Sequence, residues 1–233
     1  VSWNVHKLQD DGIHDELDAI VASEQPDFLL LQEARAAAPI PRGMTGHHAL
    51  SFRSGVRDRN EEGVMTLGAV APLRAHRVRS DERELLVLTP KAALISFFNV
   101  DGGGELCVVN LHGLNFDPTG AQLARQLEGL RARITSFEGP LIIAGDFNTW
   151  NRPRMEAVNE LGAALDLVEV KPSEEGGKTG DLPEGILGRA VRFSPDLWLD
   201  RIFVRGFTPV EVSWMLEYEA SDHVPLLARL RWA

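Results

Sequence analysis

The sequence predicts an α/β fold, and three observations carry that expectation. Short apolar runs of strand length alternate with segments whose apolar residues recur at helical spacing. The gaps between the runs hold glycine and proline, the residues that turns require. With 233 residues, 44% of them hydrophobic and 25% charged, the chain has the material for one large core and is expected to form a single domain over 1–233.

Taken in order, residues 1–6 and 28–32 read as strands. Between them Ile13, Leu17, Ile20 and Val21 fall at helical spacing. Residues 35–46, rich in alanine and proline, read as a loop. Further strands are expected at 49–53, 64–71, 94–100 and 106–112. Asp117 is placed to cap a helix reaching Phe137, with Leu123, Leu127, Leu130 and Ile134 on one face. A strand at 141–144, a shorter helix at 154–161 and a strand at 165–170 follow. The stretch 172–189 contains five glycines and is expected to be a mobile loop over a site. Strands resume at 197–204, 210–216 and 225–230.

Composition limits the function. The formal charge of −10 repels nucleic acid and anionic membranes at long range, so a phosphate substrate calls for a cation or a local basic patch. Only four of the 24 basic residues are lysines; the rest are arginines, whose planar fork suits phosphate oxygens. The single cysteine, Cys107, lies in an apolar run, which excludes an intrachain disulfide scaffold and a cysteine zinc site. No apolar run approaches the ~20 residues of a membrane span, so a soluble domain is expected. Val1 opens the chain inside a strand-like run; residues upstream are therefore expected, and a signal or anchor there stays open, as does the cellular address.

Five apolar runs border polar residues able to bind a cation or move a proton: Asn4, Glu33, His112, Asp146 with Asn148, and Asp222 with His223. Ligand and catalytic groups of α/β sheets gather at strand ends, so five such sites point to a common edge. Asp146 and Asn148 are two apart at a strand end and can share one side of the pleat.

The wording around these positions is specific. Ser2-Trp3-Asn4-Val5-His6, Leu31-Gln32-Glu33, Asn110-Leu111-His112, Gly145-Asp146-Phe147-Asn148, Leu199-Asp200-Arg201-Ile202-Phe203 and Ser221-Asp222-His223 occur in this order over nearly the whole chain. In this the sequence resembles the endonuclease/exonuclease/phosphatase superfamily, which includes pancreatic-type DNases, abasic-site endonucleases, sphingomyelinases and inositol polyphosphate phosphatases. More narrowly it resembles the bacterial YafD-like branch, through Gly63-Val64-Met65-Thr66-Leu67, Asn115-Phe116 after the Asn-Leu-His, and Trp150 after the Gly-Asp-Phe-Asn. The resemblance implies a DNase I-like four-layer α/β sandwich, two mixed β-sheets face to face with helices outside.

It also implies metal-assisted hydrolysis of a phosphate ester by in-line attack of water. Glu33 matches the family's main carboxylate for Mg²⁺ (or Mn²⁺), with Asn4 and Asp222 beside that metal. Asp146 and Asn148 match the pair that holds the attacking water. His223 matches the histidine that contacts the scissile phosphate, and Asp200 the carboxylate that orients it. His112 matches the second histidine of the DNase-like branch, where abasic-site enzymes carry tyrosine, and Glu62 stands near the place of its glutamate partner. His6, Asn115, Trp150 and Arg152 are candidates for substrate contact, with Arg154 in the same wall.

Departures narrow the substrate. His6 replaces the aspartate of abasic-site enzymes, and Leu199 precedes Asp200 and Arg201 where inositol phosphatases carry Trp-Cys-Asp-Arg. At 7% aromatic residues the chain lacks the exposed aromatic hairpin of sphingomyelinases. A monomeric phosphodiesterase, with DNA or RNA as partner and nuclease activity favoured, is therefore expected. The alternatives are a phosphomonoesterase, a phosphodiesterase for phospholipids or inositol phosphates, or a retired binding module.

Overall fold

The structure, a computed structural model, describes residues 1–6, 12–54, 60–84, 89–100, 104–172 and 198–233. In chain order its elements are β1 (Ser2–Asn4), α1 (Gly12–Glu24), β2 (Phe28–Arg35), β3 (Thr45–Ser54), β4 (Asn60–Gly68), β5 (Arg74–Arg79), β6 (Ala92–Val100), β7 (Gly104–His112), α2 (Ala121–Ile134), β8 (Leu141–Asp146), α3 (Arg152–Ala164), β9 (Val168–Val170), β10 (Asp200–Arg205), β11 (Phe207–Trp214) and β12 (Leu226–Trp232). They form two six-stranded sheets, ordered β11-β12-β1-β2-β4-β3 and β5-β6-β7-β8-β10-β9. Both sheets are mixed: β1 runs parallel to β2 and β7 parallel to β8, while the other neighbours are antiparallel.

Side-chain alternation along each strand builds the layers. Leu29 and Leu31 of β2 pack with Trp3 against Ile13, Leu17 and Ile20 of α1. Leu30, on the opposite face, joins Leu226, Phe98, Val108, Ala144, Ile202 and Val204 between the two sheets. In β8, Leu141 and Ile143 turn outward to Leu123, Leu127, Leu130 and Ile134 of α2 and to Val158 and Leu161 of α3. The result is helix, sheet, sheet, helix: the four-layer sandwich that the motifs imply. Each fully buried aliphatic side chain contributes about 1.5–3 kcal/mol, so the three clusters hold the layers without help from a disulfide.

Some boundaries differ from those read in the sequence. β5 escaped the reading because Arg74 to Arg79 is an exposed edge strand with little apolar alternation. α2 begins at Ala121, after Gly120 at φ 73, and not at residue 117. Asp117 still serves its start, accepting from the backbone N–H of Thr119 at 3.0 Å and of Gln122 at 2.7 Å. α3 is capped by Asn151, whose side chain accepts from Arg154 N, with Pro153 in the first turn. β10 begins at Asp200; residue 197 and the glycine-rich stretch after Pro172 lie outside the described residues.

One glycine is demanded by the approach of β7 to β8. Gly145 has φ 148, and a Cβ there would come 1.9 Å from the backbone oxygen of Leu111. Backbone strain and overpacking together put the expected cost of Gly145→Ala at about 3 kcal/mol. In a chain of this size that lowers Tm by roughly 6–12 °C, read by thermal unfolding. An unchanged Tm would mean that the two strands separate there without cost.

Candidate active site

Strand pairing alone brings three of the predicted residues into one row. His112 at the end of β7 is level with Asp146 at the end of the parallel β8, and Asp146 is opposite Asp200 at the start of the antiparallel β10. The other sheet supplies Asn4, paired with Gln32, and Glu33. Between Leu31 and Ala34 the register of β2 on β4 shifts, and Glu33 takes φ 53. Such a bulge re-aims a side chain that a regular strand would leave on its face. Asn110 fixes the seam between the sheets. Its Nδ2 donates to the carbonyls of Leu31 at 3.1 Å and Met65 at 2.9 Å, and its Oδ1 accepts from Gln32 Nε2 at 2.8 Å.

Asp146 is the hub. Its Oδ2 accepts from Asn4 Nδ2 at 3.0 Å and lies 3.5 Å from His112 Nε2 and 4.0 Å from His223 Nε2. Its Oδ1 accepts from the backbone N–H of Asn148 at 2.8 Å. Asn148, at φ 53, donates through Nδ2 to Gly113 O at 3.0 Å, which leaves its Oδ1 as the group it can offer a ligand. His112 Nε2 is also 3.8 Å from Glu33 Oε1. These histidine separations, 3.5 to 4.0 Å, are those of ion pairs longer than a good hydrogen bond.

The electrostatics follow from burial. Burial pushes the Asp146 carboxyl up to about 6, with Asp200 adding to the rise and His223 opposing it. His223 Nδ1 lies 2.7 Å from Asp200 Oδ2, which accepts its N–H. Burial alone would lower its pKa, but the charge and hydrogen bond of Asp200, aided by Asp146 and Asp222, raise it to about 10. The raised pKa favours the imidazolium, which would direct Nδ1–H to Asp200 and Nε2–H toward Asp146.

The loop that carries His223 is held by the first strand. Trp3 Nε1 donates to His223 O at 2.7 Å, and Ser221 Oγ donates to Asn4 O at 2.6 Å. Asp222 lies at the rim, its Oδ1 3.0 Å from His6 Nδ1, both side chains about half exposed. His6 N donates to Asn4 Oδ1 at 3.1 Å, so Asn4 is fixed at both ends of its amide.

Of the proposed wall, Asn115 and Trp150 meet: Trp150 Nε1 donates to Asn115 Oδ1 at 2.8 Å. Arg152 is exposed in the first turn of α3. Arg154 is a correction to the sequence reading, because it is fully buried and cannot line a surface. Its guanidinium donates to Asn148 O at 2.5 Å, Asp117 O at 3.0 Å and Leu114 O, tying the loops after β7 and β8 together. Glu62 is buried near the start of β4, where the strand pairs with Arg35 and Phe52.

Sequence reasoning missed Lys91 and Glu84. Lys91 Nζ lies 3.7 Å from Glu33 Oε1 and 3.5 Å from Glu84 Oε1, and both residues are buried. The signal was available: Lys91 directly precedes β6, whose Ala93 pairs with Leu111, so the start of this antiparallel strand shares an edge with the end of β7. Among the described residues no three Asp, Glu, His or Cys side chains close into a preformed chelate. Glu33 Oε1 faces Lys91 and His112, whereas Asp222 Oδ1 faces His6 and Asn4 Oδ1 accepts from His6 N.

Two face-to-face mixed sheets with this row of carboxylates, amides and histidines at one edge define a class of phosphate-ester hydrolases. The chain belongs to the endonuclease/exonuclease/phosphatase family, whose model matches residues 1–223. Within it the chain is similar to the UPF0294 (YafD-like) proteins: that of Yersinia enterocolitica, YE0917, is 33% identical over 231 residues, covering 98% of this chain and 82% of the relative. Solved structures agree on the fold. A family member from Leptotrichia buccalis superposes with TM-score 0.74 at 15% identity, covering 99% of this chain and 98% of the other. The human Nocturnin catalytic domain with bound sulfate anion gives 0.70 at 16%, covering 99% and 93%. The mannosyl-6-phosphatase Bt3783 of Bacteroides thetaiotaomicron gives 0.68 at 15%, covering 99% and 98%.

Proposed function

We propose that this chain is a divalent-cation-dependent phosphodiesterase working by in-line attack of water, as one catalytic domain over 1–233 and a monomer. The observation that carries the reading is the convergence of Asn4, His112 and His223 on one oxygen of Asp146, with Glu33 next to His112. A positively charged histidine beside a carboxylate of raised pKa is a matched acid and base.

Glu33, Asn4 and Asp222 would hold Mg²⁺ (or Mn²⁺). Their fit rests on donor chemistry: hard oxygens, two carboxylates and room for water, which Mg²⁺ prefers to an all-protein cage. A cation bound there supplies charge stabilisation at the phosphoryl oxygens. Asp146 orients the attacking water and takes its proton, with Asn148 Oδ1 as a second acceptor. His223 meets the scissile phosphate as a cation through Nε2, and Asp200 fixes its tautomer. His112 contacts a non-bridging oxygen, with Glu62 as its positioning partner, and His6, Asn115, Trp150 and Arg152 border the substrate.

Nuclease activity on DNA or RNA is the favoured form, since a histidine at 112 is shared with the DNase-like branch. The net charge of −10 favours a second reading, a small phosphomonoester or a lipid or inositol phosphodiester, because long polyanions are repelled. No helix among the described residues is long and apolar enough to cross a membrane. The deciding experiment assays purified protein on DNA, RNA, inositol phosphates and phospholipids with Mg²⁺ or Mn²⁺, then with chelator. Hydrolysis that stops with chelator is expected. Inactivity on every substrate, together with a Tm that neither cation shifts, would point to the retired binding module.

A further inference from the structure

We infer that Lys91 is a phosphate-contacting residue of this site and that Glu84 is the residue that positions it, an assignment that rests on the phosphoesterase reading above. Lys91 is 8% exposed and Glu84 2%. A buried ammonium normally closes on its counter-charge at hydrogen-bond length. Lys91 instead stands between Glu33 and Glu84 in ion pairs of 3.7 and 3.5 Å, each longer than the about 2.7–3.2 Å of a good N–H···O hydrogen bond.

Glu84, by contrast, is fully committed. Its Oε1 accepts from Asn115 N at 3.0 Å, its Oε2 from Thr89 Oγ1 at 2.6 Å, and its own N–H donates to Thr89 O at 3.0 Å. Asn115 in turn holds Trp150. The backbone of Lys91 is fixed as well, its N–H donating to Ser80 Oγ at 3.1 Å and its carbonyl accepting from Ser80 N at 2.8 Å. So the Lys91 backbone and one counter-charge are held in place, and among the described residues the ammonium meets only these two long ion pairs beside Glu33. A phosphate oxygen is the acceptor that this geometry lacks and the site would bring.

The two residues act on a cation at Glu33 with opposite signs. Lys91 repels it, so Lys91→Gln is expected to tighten Mg²⁺ or Mn²⁺ binding while weakening binding of inorganic phosphate by about 10- to 100-fold, the range for one charged hydrogen bond. Glu84→Gln removes the charge that holds Lys91 away from Glu33. It is expected to weaken both ligands, with KM rising more than kcat falls. Calorimetric titration of the full chain with each cation, then with inorganic phosphate, reads all of these, and a melting curve of each variant monitors folding. If both variants bind phosphate like the wild type, or if both move cation affinity in the same direction, Lys91 is only a counter-charge and the assignment fails. Should Lys91→Gln not fold, Lys91→Arg and Glu84→Gln carry the test, the arginine retaining phosphate binding and Glu84→Gln losing it. A wild type that neither binds phosphate nor hydrolyses any ester overturns the phosphoesterase reading itself.

Discussion

Replacing Asp146 by asparagine is expected to lower kcat by about 10³-fold on whichever ester the wild type cleaves, with little change in Tm. The substitution keeps the shape of the side chain and removes its capacity to accept a proton. The carboxyl is buried and its pKa is raised to about 6, so above that pH the ionised form is stabilised less in the folded chain than in water. A neutral isostere relieves that cost and keeps the 2.8 Å bond from Asn148 N on the remaining amide oxygen, offset by loss of the 3.0 Å bond from Asn4 Nδ2, which would face the new NH2. Loss of activity with a Tm little changed therefore separates a chemical role from a structural one. Retained activity would show that the proton leaves by another route. In the wild type, kcat/KM should climb through pH about 6 as Asp146 ionises.

The second large effect belongs to His223 and Asp200. His223→Ala is expected to cost about 10²- to 10³-fold in kcat, the usual loss for one donor to developing transition-state charge. Asp200→Asn is more informative. Asp200 lies 2.7 Å from His223 Nδ1 and is the largest contributor to raising its pKa to about 10. Without that carboxylate the alkaline limb of the activity profile should move down toward the ordinary value of 6.5. The sign for stability is the same. A histidine raised from 6.5 to about 10 contributes stability that is complete below pH 6.5 and is lost as pH rises through 10. Between those limits the chelated wild type should lose stability more steeply than Asp200→Asn, by thermal melts across pH. An alkaline limb that stays in place would show that the titrating group is not His223.

How far the residues could be read beforehand depended on what each feature rests upon. Local periodicity located α1, α2 and the buried strands, because the side chains that fill the three clusters repeat at fixed intervals within one segment. It failed at β5, which owes its existence to pairing with β6 and contributes little apolar surface of its own. In the site, looking at polar residues that end strands found Asn4, Glu33, His112 and Asp146. The same rule passes over residues that begin an antiparallel strand at that edge. Asp200 was recovered only through its motif, and Lys91 and Glu84, which no motif covered, were missed. Arg154 was misjudged because an arginine two residues from a helix start looks solvated. Its burial is decided by three carbonyls on two other loops, which no local pattern can express.

The bridge from Asn110 to Leu31, Met65 and Gln32 has a consequence for mutational tolerance. Each sheet carries only half of the proposed reactive groups, so the proposed chemistry would depend on how accurately two slabs are docked. A misplacement of ~1 Å can cost ~10²-fold in rate, whereas a slip of that size between greasy surfaces hardly changes the area they bury. Residues between the slabs such as Val108 and Ile202 are thus constrained by alignment more tightly than by folding. Conservative exchanges there would leave a well-folded protein with a blunted rate, damage that a stability screen is blind to.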